Sequence, residues 1–209
     1  MKIIQIDVDD TIWPLTNKGV ATVYPELDIN AFYKFHMDKI VFAKPSGIKG
    51  WVEPDDPNKL SWFPSKGDIW KNLRLWQCSE PDMEQIALIN DFAKRNVNTH
   101  RILLRTSCSS DKEAEIKIEK LKKVVDSLIE IETILGSKNR IDCDYYCDDH
   151  FGNLEKYVGA KTKLYLMSTN GNREVWNRDY KHLFPVVKRI SSLCEMFQDI
   201  YDDIKKPLD

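Results

Sequence analysis

Ile3-Ile4-Gln5-Ile6-Asp7-Val8-Asp9-Asp10-Thr11 runs a mostly apolar stretch straight into carboxylates spaced two residues apart, followed by a threonine. Residues 2 to 8 are short, rich in β-branched side chains and bounded by acidic turn residues. That composition suits a strand buried in a parallel sheet. Side chains at i and i+2 leave a strand on the same side. A turn beginning at the strand end brings one carboxylate and one main-chain carbonyl within reach of a single cation. One carboxylate can then attack an electrophile while its neighbour moves protons.

Beyond this strand the chain changes character twice. Residues 12–76 carry Pro14, Pro25, Pro45, Pro54, Pro57 and Pro64 and a dense set of aromatics, which predicts an inserted cap of short helices and loops. From about residue 81 an α/β rhythm returns. Pro81 opens a helix with Met83, Ile86, Ile89 and Phe92 at helical spacing, and a strand follows at 101–105. Ser109, Ser110 and Asp111 can cap a long helix from about 112 to 134 that ends at Gly136. Next come a strand near 142–147, a short helix near 153–158 stopped by Gly159, and a strand near 163–167. An amphipathic helix over about 190–205 has Ile190, Leu193, Met196, Phe197, Ile200 and Ile204 on one face. The expected fold is therefore α/β, an open parallel sheet with helices on both faces. Its core takes residues 1–11 and 77–209, and the aromatic-rich insertion takes 12–76.

In such sheets ligands sit beyond the carboxyl ends of the strands, where this reading puts Asp7, Thr106 and Asp148. Arg101-Ile-Leu-Leu-Arg-Thr106-Ser107 is a strand ending in two hydroxyls. The following helix offers Lys112, Lys117, Lys120, Lys122 and Lys123, and a lysine near a phosphate would neutralise charge that aspartates repel. Tyr145-Tyr146-Cys147-Asp148-Asp149-His150 is a strand ending in paired acids, an arrangement costly in repulsion unless a cation lies between them. Hard oxygen donors suit Mg²⁺ better than zinc.

Asp7-x-Asp9-x-Thr11, the Thr106-Ser107 strand end, a helix lysine and the Asp148-Asp149 pair, in that order, resemble the four motifs of haloacid-dehalogenase-like (HAD) phosphohydrolases. The resemblance implies that Asp7 is a nucleophile forming an aspartyl-phosphate and that Asp9 is the general acid and base. Thr106, Ser107 and Lys117 would bind the phosphoryl group. Lys117 is preferred among the lysines because Lys117-x3-Leu121 is similar to a Lys-x2-Trp-Leu pattern of nucleotidase relatives. The metal ligands implied are the Asp7 carboxylate, the Asp9 main-chain carbonyl and Asp149, with Asp148 orienting Lys117 or a metal-bound water.

The C-terminal part resembles the 5'(3')-deoxyribonucleotidase-like branch through Asp148-Asp149-His-Phe-Gly-Asn153, Lys163-Leu-Tyr-Leu-Met167 and Asn170-Gly-Asn172-Arg173. Its implied activity is Mg²⁺-dependent hydrolysis of nucleoside monophosphates. An aromatic cap over a phosphate site fits a base-stacking pocket. Trp13, Phe32, Phe35, Trp62, Phe63 and Trp70 are the candidate substrate contacts, most of which should form the insertion's own core. Within enzymes the rivals are a phosphatase for another phosphometabolite or for a nucleic-acid terminal phosphate. A third reading is a non-catalytic protein that keeps the fold and the metal.

The chain has 209 residues and 42% hydrophobic content, enough for a sizeable core. With 31 Lys plus Arg against 33 Asp plus Glu there is no basic field to hold nucleic acid, so the expected partner is a small phosphorylated molecule. A homodimer is compatible with this. The five cysteines (Cys78, Cys108, Cys143, Cys147 and Cys194) are odd in number and irregularly spaced. That predicts a reduced, cytoplasmic protein, with Cys143 and Cys147 as core thiols and not zinc ligands. No signal peptide and no membrane span are expected.

Overall fold

The computed structural model describes residues 1–26, 71–169, 172, 180–183 and 185–205. Six strands, β1 (Lys2–Asp7), β2 (His100–Cys108), β3 (Glu130–Leu135), β4 (Tyr145–Asp148), β5 (Lys163–Met167) and β6 (Val187–Ile190), form one all-parallel open sheet in the order β3-β2-β1-β4-β5-β6. The helices are α1 (Ala21–Val23), α2 (Arg74–Cys78), α3 (Met83–Arg95), α4 (Asp111–Lys122), α5 (Phe151–Glu155) and α6 (Leu193–Lys205). A π-helical turn, Leu15–Val20, precedes α1. Among the described residues no helix is long and apolar enough to cross a membrane.

The strands alternate cleanly between two apolar layers. Ile4 and Ile6 of β1, Val8 just after it, and Tyr145, Cys147, Tyr165 and Met167 enter the larger core with Ile86, Ile89 and Phe92 of α3 and Leu193, Met196 and Phe197 of α6. Tyr146, Leu164 and Leu166 face the other way, against Phe151 and Leu154 of α5. A strand buried on both faces needs this near-continuous apolar run, and each fully buried Ile contributes about 2 kcal/mol.

Two expected helices are shorter than their pattern suggests: the first conceals an edge strand, and the second begins after one that the sequence reading did not mark. The predicted helix over 112–134 stops at Lys122, and residues 130–135 pair with β2 as β3. Asn90 explains the break: its side chain donates to the Val124 carbonyl and accepts from the Asp126 amide, capturing polar groups that a longer helix would have used. Gly136, with φ of +85°, therefore ends a strand and not a helix. Likewise Ile190 closes β6, and the last helix begins at Leu193.

The expected insertion over 12–76 is rooted deeper than its composition predicts. Ile12, Trp13, Leu15, Val20, Leu75 and Trp76 all belong to the larger core. Residues 27–70, with five of the six candidate substrate aromatics (Phe32, Phe35, Trp62, Phe63 and Trp70), lie outside the described residues.

Candidate active site

The chain passes from β1 to β2 and β3 on one side, then returns to place β4 on the other side of β1. The reversal opens a crevice at the carboxyl end of β1, the usual ligand position in open α/β sheets. Register delivers the acids to it. Asp7 pairs across from Arg105 of β2, and Ile6 from Cys147 of β4, so Asp148 arrives level with Asp7. A cavity of about 430 Å³ lies there, lined in part by Asp7, Asp9, Asp149, Ser107, Lys138 and Trp76.

Asp7, Asp148 and Asp149, all buried, bring carboxylate oxygens within 4.8 Å of one another. Their environments differ. Asp148 is saturated: Lys138 Nζ donates to it at 3.1 Å, the His150 amide at 2.8 Å, Asn153 Nδ2 at 3.1 Å, and the Tyr146 hydroxyl also donates. Burial would raise its pKa, but Lys138 and Tyr146 outweigh that and hold it below the usual carboxylate value. Asp149 accepts no side-chain hydrogen bond among the described residues, and burial and the Asp148 charge push its carboxyl well up. Only its main chain is tied, by Asn172 Nδ2 at 2.9 Å. Burial and Asp148 also raise Asp7 to about 8, although Lys138 donates to it.

Such a set is unfavourable without a cation. Among the described residues, Asp7, Asp9, Asp10, Asp148 and Asp149 gather against two ammonium groups, Lys117 and Lys138. The donors are hard oxygens, one of them oriented only by its backbone, and they fit a divalent ion of the Mg²⁺ type. Asp10, at φ of +54°, stands apart: it accepts from the Thr16 amide at 2.8 Å and from the Thr16 hydroxyl, so it braces the turn.

In metal-free protein these raised carboxyls make stability depend on pH. Asp7 rises from 3.8 to about 8 and Asp10 to about 7, so across that window the folded state holds protons the unfolded chain has released. The stability they contribute is present at low pH and lost as pH rises through about 7 to 8. Asp148, shifted down, contributes the opposite way and matters only below its ordinary 3.8. In EDTA the Tm should therefore fall between about pH 5 and pH 8.5, and added Mg²⁺ should reverse the fall at the alkaline end. A Tm that rises over this range would contradict the assignment.

Asp9 is held separately. Its Oδ2 accepts from Lys117 Nζ at 2.8 Å and from the Thr106 hydroxyl at 3.0 Å, while the buried Oδ1 has no partner among the described residues. Lys117 is fully buried, bonded also to Thr106 Oγ1, the Ser107 carbonyl and Glu113, with its ammonium 3.7 Å from the Trp76 ring centre. Neither Lys117 nor Thr106 is among the residues that line the cavity, and both are bonded to Asp9, which they hold in place. Ser107 does line it. Trp13 is likewise no substrate contact. It is fully buried, edge-on to Trp76, and its Nε1 donates to Ser79 Oγ at 2.9 Å.

The residue sequence reasoning missed is Lys138. Its ammonium donates to both Asp7 and Asp148, so Asp148 orients this lysine and not Lys117. Burial opposes its charge, but the two aspartates raise its pKa and keep it protonated. The available signal was a Gly-Ser-Lys turn ten residues before Asp148, hidden because residues 130–135 read as helix. Comparison with protein-family models gives no match for this chain, and comparison with curated proteins gives none either.

Proposed function

We propose that the protein is a Mg²⁺-dependent phosphomonoesterase of the HAD-like type, working through an aspartyl-phosphate on Asp7. The observation that carries this reading is the division of labour between two aspartates only two residues apart. Asp7 lies in the acid cluster with Lys138, and Asp9 stands outside it with one oxygen held and the other without a partner among the described residues. Asp7 attacks phosphorus, and Asp9, presenting Oδ1, protonates the departing alkoxide. Asp9 then takes a proton from the water that attacks the phosphorus of the acyl phosphate, and Asp7 leaves. Lys138 and Ser107 would meet the charge on the equatorial oxygens. Asp7 and Asp149 would hold Mg²⁺, which when bound screens phosphate from the carboxylates and polarises it. Asp148 holds Lys138.

A nucleoside monophosphate remains the favoured substrate, on the sequence resemblance and on the aromatics of residues 27–70. Trp76 adds one aromatic wall within the described cavity. Phosphate release from a panel of ribo- and deoxyribonucleoside monophosphates and sugar phosphates, with and without Mg²⁺, tests both levels. Activity confined to other esters would keep the chemistry and discard the nucleotide. Asp149→Asn should weaken the apparent Mg²⁺ affinity by at least about 10- to 100-fold, with activity partly recovered at high Mg²⁺. An unchanged Mg²⁺ requirement would remove Asp149 from the ligand set.

A further inference from the structure

The segment that carries Lys138, residues 136–144, has almost no backbone ladder of its own. The Gly136 amide donates to the Cys108 carbonyl and the Asp144 amide to the Ile3 carbonyl, which fixes only the two ends. Between them the main chain is held by side chains from elsewhere. Arg105 donates through its two terminal nitrogens to the Asn139 carbonyl and side-chain oxygen, and Lys156 Nζ donates to the Lys138 carbonyl at 3.0 Å. Tyr157 OH accepts from the Ile141 amide at 3.1 Å.

Arg105 is the unusual member. Its guanidinium is 2% exposed, yet its carboxylate partner among the described residues, Glu132, is 45% exposed. Desolvating an arginine against a half-solvated partner is a poor source of stability, and a carboxylate as exposed as Glu132 stays hydrated when its partner is removed. Its planar fork does suit a backbone carbonyl and an amide oxygen of one residue. We infer that Arg105 and Lys156 are positioning residues, which clamp the Asn139 and Lys138 main chain so that the Lys138 ammonium stays between Asp7 and Asp148. This deepens the phosphatase reading and rests on it for its kinetic consequence.

The test is Arg105→Met, with Lys156→Met as a second variant that removes only an exposed side chain. Asn139 is exposed, so water can replace the lost donors, and the Tm of Arg105→Met should stay within about 3 °C of wild type. Acylation of Lys138 by an amine-reactive acetylating agent, followed by peptide mass spectrometry, should accelerate at least about tenfold while Lys117 stays protected. Phosphate release should fall roughly 10- to 100-fold, and Arg105→Met should cost nothing more when added to Lys138→Met. Unchanged Lys138 acylation in both variants would overturn the inference, as would a loss that multiplies with that of Lys138→Met. So would exposure of Lys117 in step with Lys138, the mark of general unfolding. A wild-type protein that releases no phosphate would sink the phosphatase reading alone, because the acylation measurement needs no substrate.

Discussion

Asp7→Asn is expected to lower phosphate release by at least about 10⁴-fold while leaving the fold intact, because the amide cannot attack phosphorus and the neighbouring acids hold other roles. Asp9, the nearest carboxylate in sequence, is turned to Lys117 and Thr106. The stability change should be no more than about 2 kcal/mol in either direction. Removing the carboxylate relieves repulsion with Asp148, which raises Asp7, and Lys138 keeps Asp148 as its partner. Steady-state phosphate release and a denaturant titration on the same preparation decide the matter. A variant retaining a hundredth of wild-type turnover with an unchanged fold would rule out Asp7 as the nucleophile.

Lys138→Met should damage both properties at once. Its ammonium is the one described cation bonded to Asp7 and Asp148, and its loss leaves two adjacent buried carboxylates beside Asp149. Removing one partner of a buried ion pair costs about 3–5 kcal/mol, which here should show as a lower denaturation midpoint in metal-free protein. Saturating Mg²⁺ should recover part of it, about 2.7 kcal/mol at a hundred times the dissociation constant. Turnover should fall by about 10²- to 10³-fold even with Mg²⁺ present, because a preorganised cation is gone from the phosphate site. Lys138→Arg should rescue little, since a planar fork does not occupy the place of a compact ammonium between two carboxylates. Near-normal activity in Lys138→Met would return the phosphate-binding role to Lys117.

Both predictions concern residues whose neighbours are remote in the chain. Asp7 and Lys138 are 131 positions apart, and Lys117 and Asp9 are 108. The sequence marked the carboxylates because their strands announce them: an apolar run that stops at an acid is visible locally, and Asp7, Asp9, Asp148 and Asp149 were read that way. Among the lysines it preferred Lys117 only through a family resemblance, and composition did not separate them. Four of them on α4, with Lys123 just past its end, share one composition, and the packing of that helix against Trp76 turns Lys117 inward. Trp13 shows the same limit. A tryptophan beside an acid motif can face a ligand or a core, and the T-shaped contact with Trp76 settles it.

What the sequence alone determined is the alternation of strands and helices, the parallel sheet and the acids at its carboxyl edge, because period-2 and period-3.6 patterns and strand-end residues are local signals. Its failures were the edge strands: β3, whose short, half-exposed run looks like an extension of the preceding helix, and β6, a four-residue run left unassigned, until pairing with β2 and β5 gives their backbone groups partners. Only the tertiary structure decided which lysine serves which aspartate. A buried ammonium is stable only where several oxygens converge on it, and that convergence belongs to strand register and loop anchoring across the sheet, which no stretch of sequence contains.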